Sequence, residues 1–154
     1  MSSDDRLPDW PGALRRYLGA SIAAHLVWET LQLPLYTLWA DGTRAQQAFA
    51  VLHCAAGDIV IALVSLALAL ALFARRGWPT TDTARVYWTS LVCCVGYTIF
   101  SEWLNTGVRA SWNYSDFMPV VPVIRTGLAP LMQWLVVPTF AQRIALGRAP
   151  WNSS

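Results

Sequence analysis

The segment AFAVLHCAAGDIVIALVSLALALALFA, residues 48–74, decides the expected fold because it is long and almost entirely apolar. Its later part, residues 59–74, contains no charged side chain. A helix needs about 20 mostly apolar residues, each rising about 1.5 Å, to cross the hydrocarbon core of a bilayer. The segment therefore predicts a membrane-spanning helix.

Three further apolar segments, residues 17–39, 86–104 and 126–146, reach a similar length. Prolines interrupt two of them, which membrane helices tolerate where neighbouring helices satisfy the backbone. Only 13% of the residues are charged, compared with about 25% in an average soluble domain. The sequence predicts an all-α integral membrane protein, a single four-helix transmembrane domain over residues 1–154.

The distribution of arginine predicts the orientation of these helices, since the loops on the cytoplasmic side of a membrane protein are rich in basic residues. An inside N-terminus places most arginines on the inner side: Arg6, Arg15, Arg16, Arg75, Arg76, Arg85, Arg143 and Arg148. Three fall on the outer side: Arg44, Arg109 and Arg125. We therefore expect both termini inside. The alanine-rich composition without lysine favours a bacterial inner membrane.

The connection between the third and fourth segments, NTGVRASWNYSDFMPVVPVIR over residues 105–125, differs from the short inner connections. Pro119 and Pro122 exclude a regular helix there. Its aromatic residues argue against full exposure to water. We expect an ordered segment on the outer face.

Three acidic residues, Glu29, Asp58 and Glu102, lie within the predicted spans. A charge at the centre of a membrane helix costs about 2.5–3.5 kcal/mol on insertion scales. Such residues usually face the interior of a helix bundle and serve a function, although a purely structural hydrogen-bond network is the alternative. The acids therefore mark the expected site.

Counting about 1.5 Å per residue from the outer edge gives two levels of polar groups in the outer half of the bundle. The deeper level contains Glu29, Asp58, Tyr97 and Gln133, and the upper level contains Tyr36, His53, Glu102, Asn105 and Arg125. Together they predict a polar pocket that opens outward. The inner half of the second segment is expected to contribute no polar group.

Some residues of this pocket allow more than one interpretation. His53 and Asp58 are five residues apart, about 140° around a helix, so they cannot both lie at the centre of one helix face. His25 is expected to bond to Glu29 one turn later, and Gly57 to allow a close helix approach. Arg125 is either a cation of the site or an interfacial anchor.

Acid/base chemistry on a lipophilic substrate, such as an isoprenoid, sterol-like or acyl molecule, is the function that this pocket favours, though the sequence leaves open whether the chain is an enzyme. A buried acid that keeps its proton can act with an ionised partner. The expected catalytic residues are Glu29, His53, Asp58 and Glu102. The expected substrate-binding residues are Tyr36, Tyr97, Asn105, Trp112, Arg125 and Gln133.

Two other functions use the same residues. A transporter or binding protein for a cation could hold a divalent metal with Glu29, His53, Asp58 and Glu102, although the paired Glu-x-x-His motifs of bundle metal sites are missing from the sequence. An accessory subunit of a larger membrane complex, or a homo-oligomer, could use the acids for assembly. No cofactor is predicted, and a net charge of +2 argues against nucleic acid.

Overall fold

Helices make up most of the chain in the computed structural model, which describes residues 9–74 and 77–151. Within these ranges the α-helices are α1 (Trp10–Gln32), α2 (Leu38–Asp41), α3 (Arg44–Phe73), α4 (Thr83–Glu102) and α5 (Leu128–Leu146). A 3₁₀ turn (Leu33–Leu35) follows α1, and a π-helical turn (Trp103–Val108) continues α4. Two short strands, β1 (Val120–Val121) and β2 (Thr126–Gly127), precede α5. The prediction of an all-α fold is confirmed.

Local sequence explains where the helices begin and end. The Asp9 carboxylate accepts a hydrogen bond of 3.0 Å from the Gly12 amide and caps α1. At the start of α3, Thr43 and Gln46 bond reciprocally to each other's backbone amides, which forms a capping box. Pro34 has no N–H to donate to the carbonyl four residues earlier, and after the 3₁₀ turn Tyr36 is extended, so the first helix does not continue to residue 39.

The helix bounds differ from the predicted spans mainly at the first segment. The first helix is shifted relative to the span predicted over residues 17–39. Helix α1 begins seven residues earlier than this span and ends at Gln32. Within the described ranges, α3 is the helix that is both long and apolar enough to cross a membrane. Residues 1–8, 75–76 and 152–154 of the predicted domain, which include Arg6, Arg75 and Arg76, lie outside the described residues.

The four long helices pack in a ring. Helix α1 contacts α3 and α5, and α4 contacts the same two helices from the other side. We call the end of the bundle where β1 and β2 lie the hairpin end, and the end where α1 begins and α5 terminates the tail end. A core cluster joins the helices near the tail end: Ala13, Tyr17, Leu66, Ala69, Trp78, Val86, Ala141 and Ala145. Its alanines leave little space between the helices.

The segment that connects α4 to α5 is fixed to the end of α1 by backbone hydrogen bonds. The Thr37 amide donates to the Asn113 carbonyl at 3.0 Å, and the Ser115 amide donates to the Leu35 carbonyl at 2.9 Å. The antiparallel pair of β1 and β2 then leads the chain into α5. The connecting segment is ordered and closes one end of the helix ring.

An enlarged side chain at Ala69 should destabilise the fold, because Ala69 is fully buried in the core cluster. We expect Ala69→Leu to lower the free energy of unfolding by about 1–3 kcal/mol, the usual cost of overpacking. Thermal unfolding followed by circular dichroism measures this change. Ala67→Leu is the matched control, because Ala67 lies on the exposed face of the same helix. Equal stability of the two variants would contradict the packing described above.

Candidate functional site

A cavity of about 890 Å³ lies between the long helices and the connecting segment, towards the hairpin end. Nine of the ten residues proposed from the sequence line this cavity: Glu29, Tyr36, His53, Asp58, Tyr97, Glu102, Asn105, Trp112 and Gln133. The helix ring brings them together, since they come from α1, α3, α4, α5 and the segments between these helices.

Arg125, the tenth proposed residue, is not part of the cavity wall. It is exposed, has a positive φ of 52°, and donates its backbone amide to Val121 at 2.8 Å within the hairpin. The structure therefore does not bring Arg125 together with the other proposed residues. Arg109, which the sequence analysis placed only by orientation, lines the cavity instead.

The amide nitrogen of Gln133 is the centre of a hydrogen-bond network at the deep end of the cavity. Nε2 donates to Glu29 Oε1 at 3.0 Å and to Asp58 Oδ2 at 2.8 Å. It also lies 2.9 Å from His25 Nδ1. One NH₂ group has two hydrogens for these three acceptors. The Gln133 side chain therefore joins α1, α3 and α5. It has fewer N–H hydrogens than there are neighbouring atoms for them to bond to.

Two further contacts complete this network on α1. Gln32 Nε2 donates to Glu29 Oε1 at 2.6 Å, and Trp28 Nε1 donates to Gln32 Oε1 at 3.1 Å. The expected bond between His25 and Glu29 is wrong. The Nδ1 atom of His25 instead faces Gln133 and lies 3.5 Å from Asp58 Oδ2, because both partners approach from other helices.

Glu102 forms a second, separate cluster nearer the hairpin. The Tyr114 hydroxyl donates a hydrogen bond to Glu102 Oε2 and accepts one of 2.9 Å from the Gly127 amide. Burial, and then the neighbouring Glu102 carboxylate, raise the pKa of Tyr114, so its hydroxyl keeps the proton that it donates. Its ring packs against Tyr36 at 5.7 Å. This cluster attaches the connecting segment to α4.

His53 and Asp58, which are about 140° apart around α3, lie in different surroundings. Asp58 reaches the Gln133 network, whereas His53 is exposed and stacks on Phe49 with a ring separation of 5.5 Å. Both line the cavity, at different depths. The close helix approach expected at Gly57 is wrong, because a side chain there would meet no atom within 4 Å.

Buried polar groups continue towards the tail end, which the sequence analysis did not anticipate. Ser65 is buried, so the expectation that this half of α3 contributes no polar group is wrong. Ser90 on α4 accepts a hydrogen bond of 3.1 Å from Gln142 Nε2 on α5. Tyr17 and Ser21 continue the four-residue spacing of His25 and Glu29. That spacing was visible in the sequence.

Within residues 9–74 and 77–151, no three His, Cys, Asp or Glu side chains are grouped in a way that could hold a metal ion. Comparison with protein-family models, with curated proteins and with solved structures finds no match to this chain.

Loss of the Gln133 amide should destabilise the protein more than loss of a similar amide elsewhere on α5. Gln133→Met removes a donor from two carboxyl groups, so we expect the free energy of unfolding to fall by about 1–3 kcal/mol or more. Gln142→Met is the control, because Gln142 donates to a neutral hydroxyl. Chemical unfolding of each purified variant measures the difference.

A double-variant cycle separates the network from simple packing. If Gln133 acts through Asp58, the variant Asp58→Asn should cost less in the Gln133→Met background, with a coupling of about 0.5–3 kcal/mol. Additive losses would show that the two side chains stabilise the protein independently.

Removal of the Tyr114 hydroxyl should loosen the connecting segment without unfolding the bundle. In Tyr114→Phe, the Gly127 amide loses its acceptor and Glu102 loses its donor. We expect faster hydrogen exchange at Gly127 and its neighbours, measured by mass spectrometry. Tyr97→Phe is the control, because Tyr97 lies in the cavity wall but is half exposed. Unchanged exchange in Tyr114→Phe would contradict this role.

Proposed function

We propose that the chain is a multi-pass membrane protein in which α1, α3, α4 and α5 cross the bilayer, with both termini inside. The distribution of side chains supports this placement, because each long helix exposes large apolar residues: Val27 and Leu31, Val60 and Val64, Val92 and Phe100, Leu135 and Phe140. The same helices bury polar residues: Ser21, His25, Glu29, Ser65, Ser90, Glu102, Gln133 and Gln142. A surface of this kind suits lipid better than water.

We further propose that the cavity binds a lipophilic small molecule and performs acid/base chemistry on it. The observation that carries this proposal is that carboxyl groups from three helices, Glu29, Asp58 and Glu102, line one cavity of about 890 Å³. Ligand cavities typically have volumes of about 300–1,000 Å³, apolar walls and a few polar groups that converge. Ile61 and Trp134 supply apolar wall between the acids.

The arrangement around Gln133 suits a pair of acids in different protonation states. Glu29 and Asp58 both lie within 3.0 Å of one amide nitrogen. Because neighbouring negative charges repel each other, one shared proton is the favourable state of such a pair. The protonated acid would donate to the substrate and the ionised one would accept, with Gln133 orienting both.

Glu102 has a different task in this proposal. Its carboxylate is held by the Tyr114 hydroxyl at the hairpin end of the cavity. It therefore suits binding of a substrate's polar group, or stabilisation of a positive charge that develops during proton transfer. His53 and Arg109, which are both exposed, lie where the cavity meets the surface and suit contacts at its entrance.

Cation binding is the second candidate function. Three carboxyl groups line the cavity, whereas Arg109 is the arginine in its wall. This excess of negative charge favours a cationic ligand. Elemental analysis of the purified wild type and of Glu102→Gln, which removes one carboxyl group, tests this function. A metal that is present in the wild type and reduced in the variant indicates a metal ion, whereas absence of metal from both leaves an organic cation.

A side chain that fills the cavity should prevent ligand binding. Gly57 lines the cavity, and an added Cβ there meets no atom within 4 Å, so Gly57→Leu should fold and occupy part of this space. We expect a lipophilic molecule in organic extracts of the wild-type protein, detected by mass spectrometry, and its loss from this variant. Gly96→Leu is the matched control, since Gly96 has equal space but lies outside the cavity wall.

Asp58→Asn then tests the chemistry apart from binding. If Asp58 transfers a proton, this variant should keep the unconverted ligand, and its extract should differ in composition from that of the wild type. Identical extracts from the wild type, Gly57→Leu and Gly96→Leu would contradict the cavity as a binding site. Identical extracts from wild type and Asp58→Asn would contradict Asp58 as a catalytic residue.

A further inference from the structure

One face of α1 carries polar side chains from near the tail end of the bundle to the cavity. Tyr17, Ser21, His25 and Glu29 follow one another at intervals of four residues, and all four are buried. Residues at this spacing are neighbours on a helix surface. Glu29 follows Tyr17 by twelve positions, which correspond to about 18 Å along the helix, more than half of a hydrocarbon core of about 30 Å. We call these four residues the α1 polar column.

Two atoms of the α1 polar column lack the hydrogen bonds that buried polar groups normally form. His25 Nε2 has no hydrogen-bond partner among the described residues. Ser21 Oγ lies close enough to Tyr17 to interact with it, but also forms no hydrogen bond of normal length in the described chain. Both atoms belong to side chains one turn apart, so a single water molecule could bridge them. Buried polar groups left in this state invite a functional explanation.

We propose that the α1 polar column conducts protons between the tail end of the bundle and the carboxyl pair of the cavity. This inference rests on the proposed placement of the four helices across a membrane. Tyr17 is the member of the column nearest the tail end, and it interacts with Ser21, the next member towards the cavity. The cavity provides the other end of the path.

His25 is the group that can pass a proton across the gap. With a proton on Nδ1, the ring can donate to the ionised Asp58 at Oδ2, which lies 3.5 Å away, while Nε2 accepts a proton from a water at Ser21. That water takes a replacement proton from the Ser21 hydroxyl, which in turn takes one from the Tyr17 side of the column. The Nδ1–H bond breaks as an O–H bond forms on Asp58, and a new N–H bond forms at Nε2. The ring returns to its first state by reorientation, and Gln133 bonds to Nδ1 when that nitrogen is unprotonated.

The surroundings of His25 suit this role. Asp58 from α3 and Glu29 from α1 supply the acceptors, and Gln133 from α5 bonds to the ring. The Trp134 ring packs against the imidazole at 5.2 Å. With no exposed surface, His25 can exchange protons only through its neighbours.

Proton flux into vesicles tests this proposal. The full chain would be reconstituted into phospholipid vesicles that contain a pH-sensitive dye, and a potassium diffusion potential would drive protons inward. We expect the wild-type protein to raise the rate of internal acidification several-fold above protein-free vesicles. Ser21→Ala should abolish this increase, and Ser21→Thr, which keeps the hydroxyl, should preserve it.

Thr30→Ala is the matched control, because the Thr30 hydroxyl lies on the exposed side of α1 and donates to the Leu26 carbonyl at 2.8 Å. It should leave the flux unchanged. Flotation of each variant with the vesicles and its circular dichroism identify any variant that fails to insert or fold, and His25→Leu provides a second test within the column. A wild-type rate equal to that of protein-free vesicles, or equal rates in wild type and a folded Ser21→Ala, would overturn the proposal. Neither result depends on whether the cavity holds a ligand.

Discussion

The amide of Gln133 is the contact on which the arrangement of the cavity depends. It lies on α5 and donates hydrogen bonds to carboxyl groups from α1 and α3, which are too polar to be buried without a donor. The helix ring brings α3 and α5 to opposite sides of the cavity, and the bond between Asp58 and Gln133 connects them across it. A polar contact therefore sets the depth at which the cavity ends, and the tightly packed alanine core begins beyond it.

The two carboxyl clusters differ in what holds them, and this difference separates their tasks. Glu29 and Asp58 are held by side chains of the long helices, which the core cluster fixes in place. Glu102 is held by Tyr114, which belongs to the connecting segment and also accepts the Gly127 amide. Movement of that segment would alter Glu102 while leaving the deeper pair intact.

The sequence predicted much of this arrangement because helical geometry is regular. Counting residues from the predicted outer edge placed Glu29, Asp58 and Gln133 at one depth, and these three side chains share hydrogen bonds in the structure. The errors arose where geometry between helices or in turns decides the outcome. The partner of His25 depends on which helix lies opposite, and the place of Arg125 depends on a turn with positive φ. Neither follows from the spacing of residues along one helix.

The buried polar groups near the tail end show why the apolar character of α3 was misleading. The composition of α3 describes mainly the residues that face outward, such as Val64 and Leu68, whereas Ser65 between them is buried. For α1 the contrast is larger, since its buried face carries Tyr17 and Ser21. In a bundle with an apolar exterior, the polar residues of each helix must turn inward, so they meet even when each helix has few. On α1, the buried polar side chains from Tyr17 to Glu29 therefore form a row that ends at the carboxyl pair of the cavity.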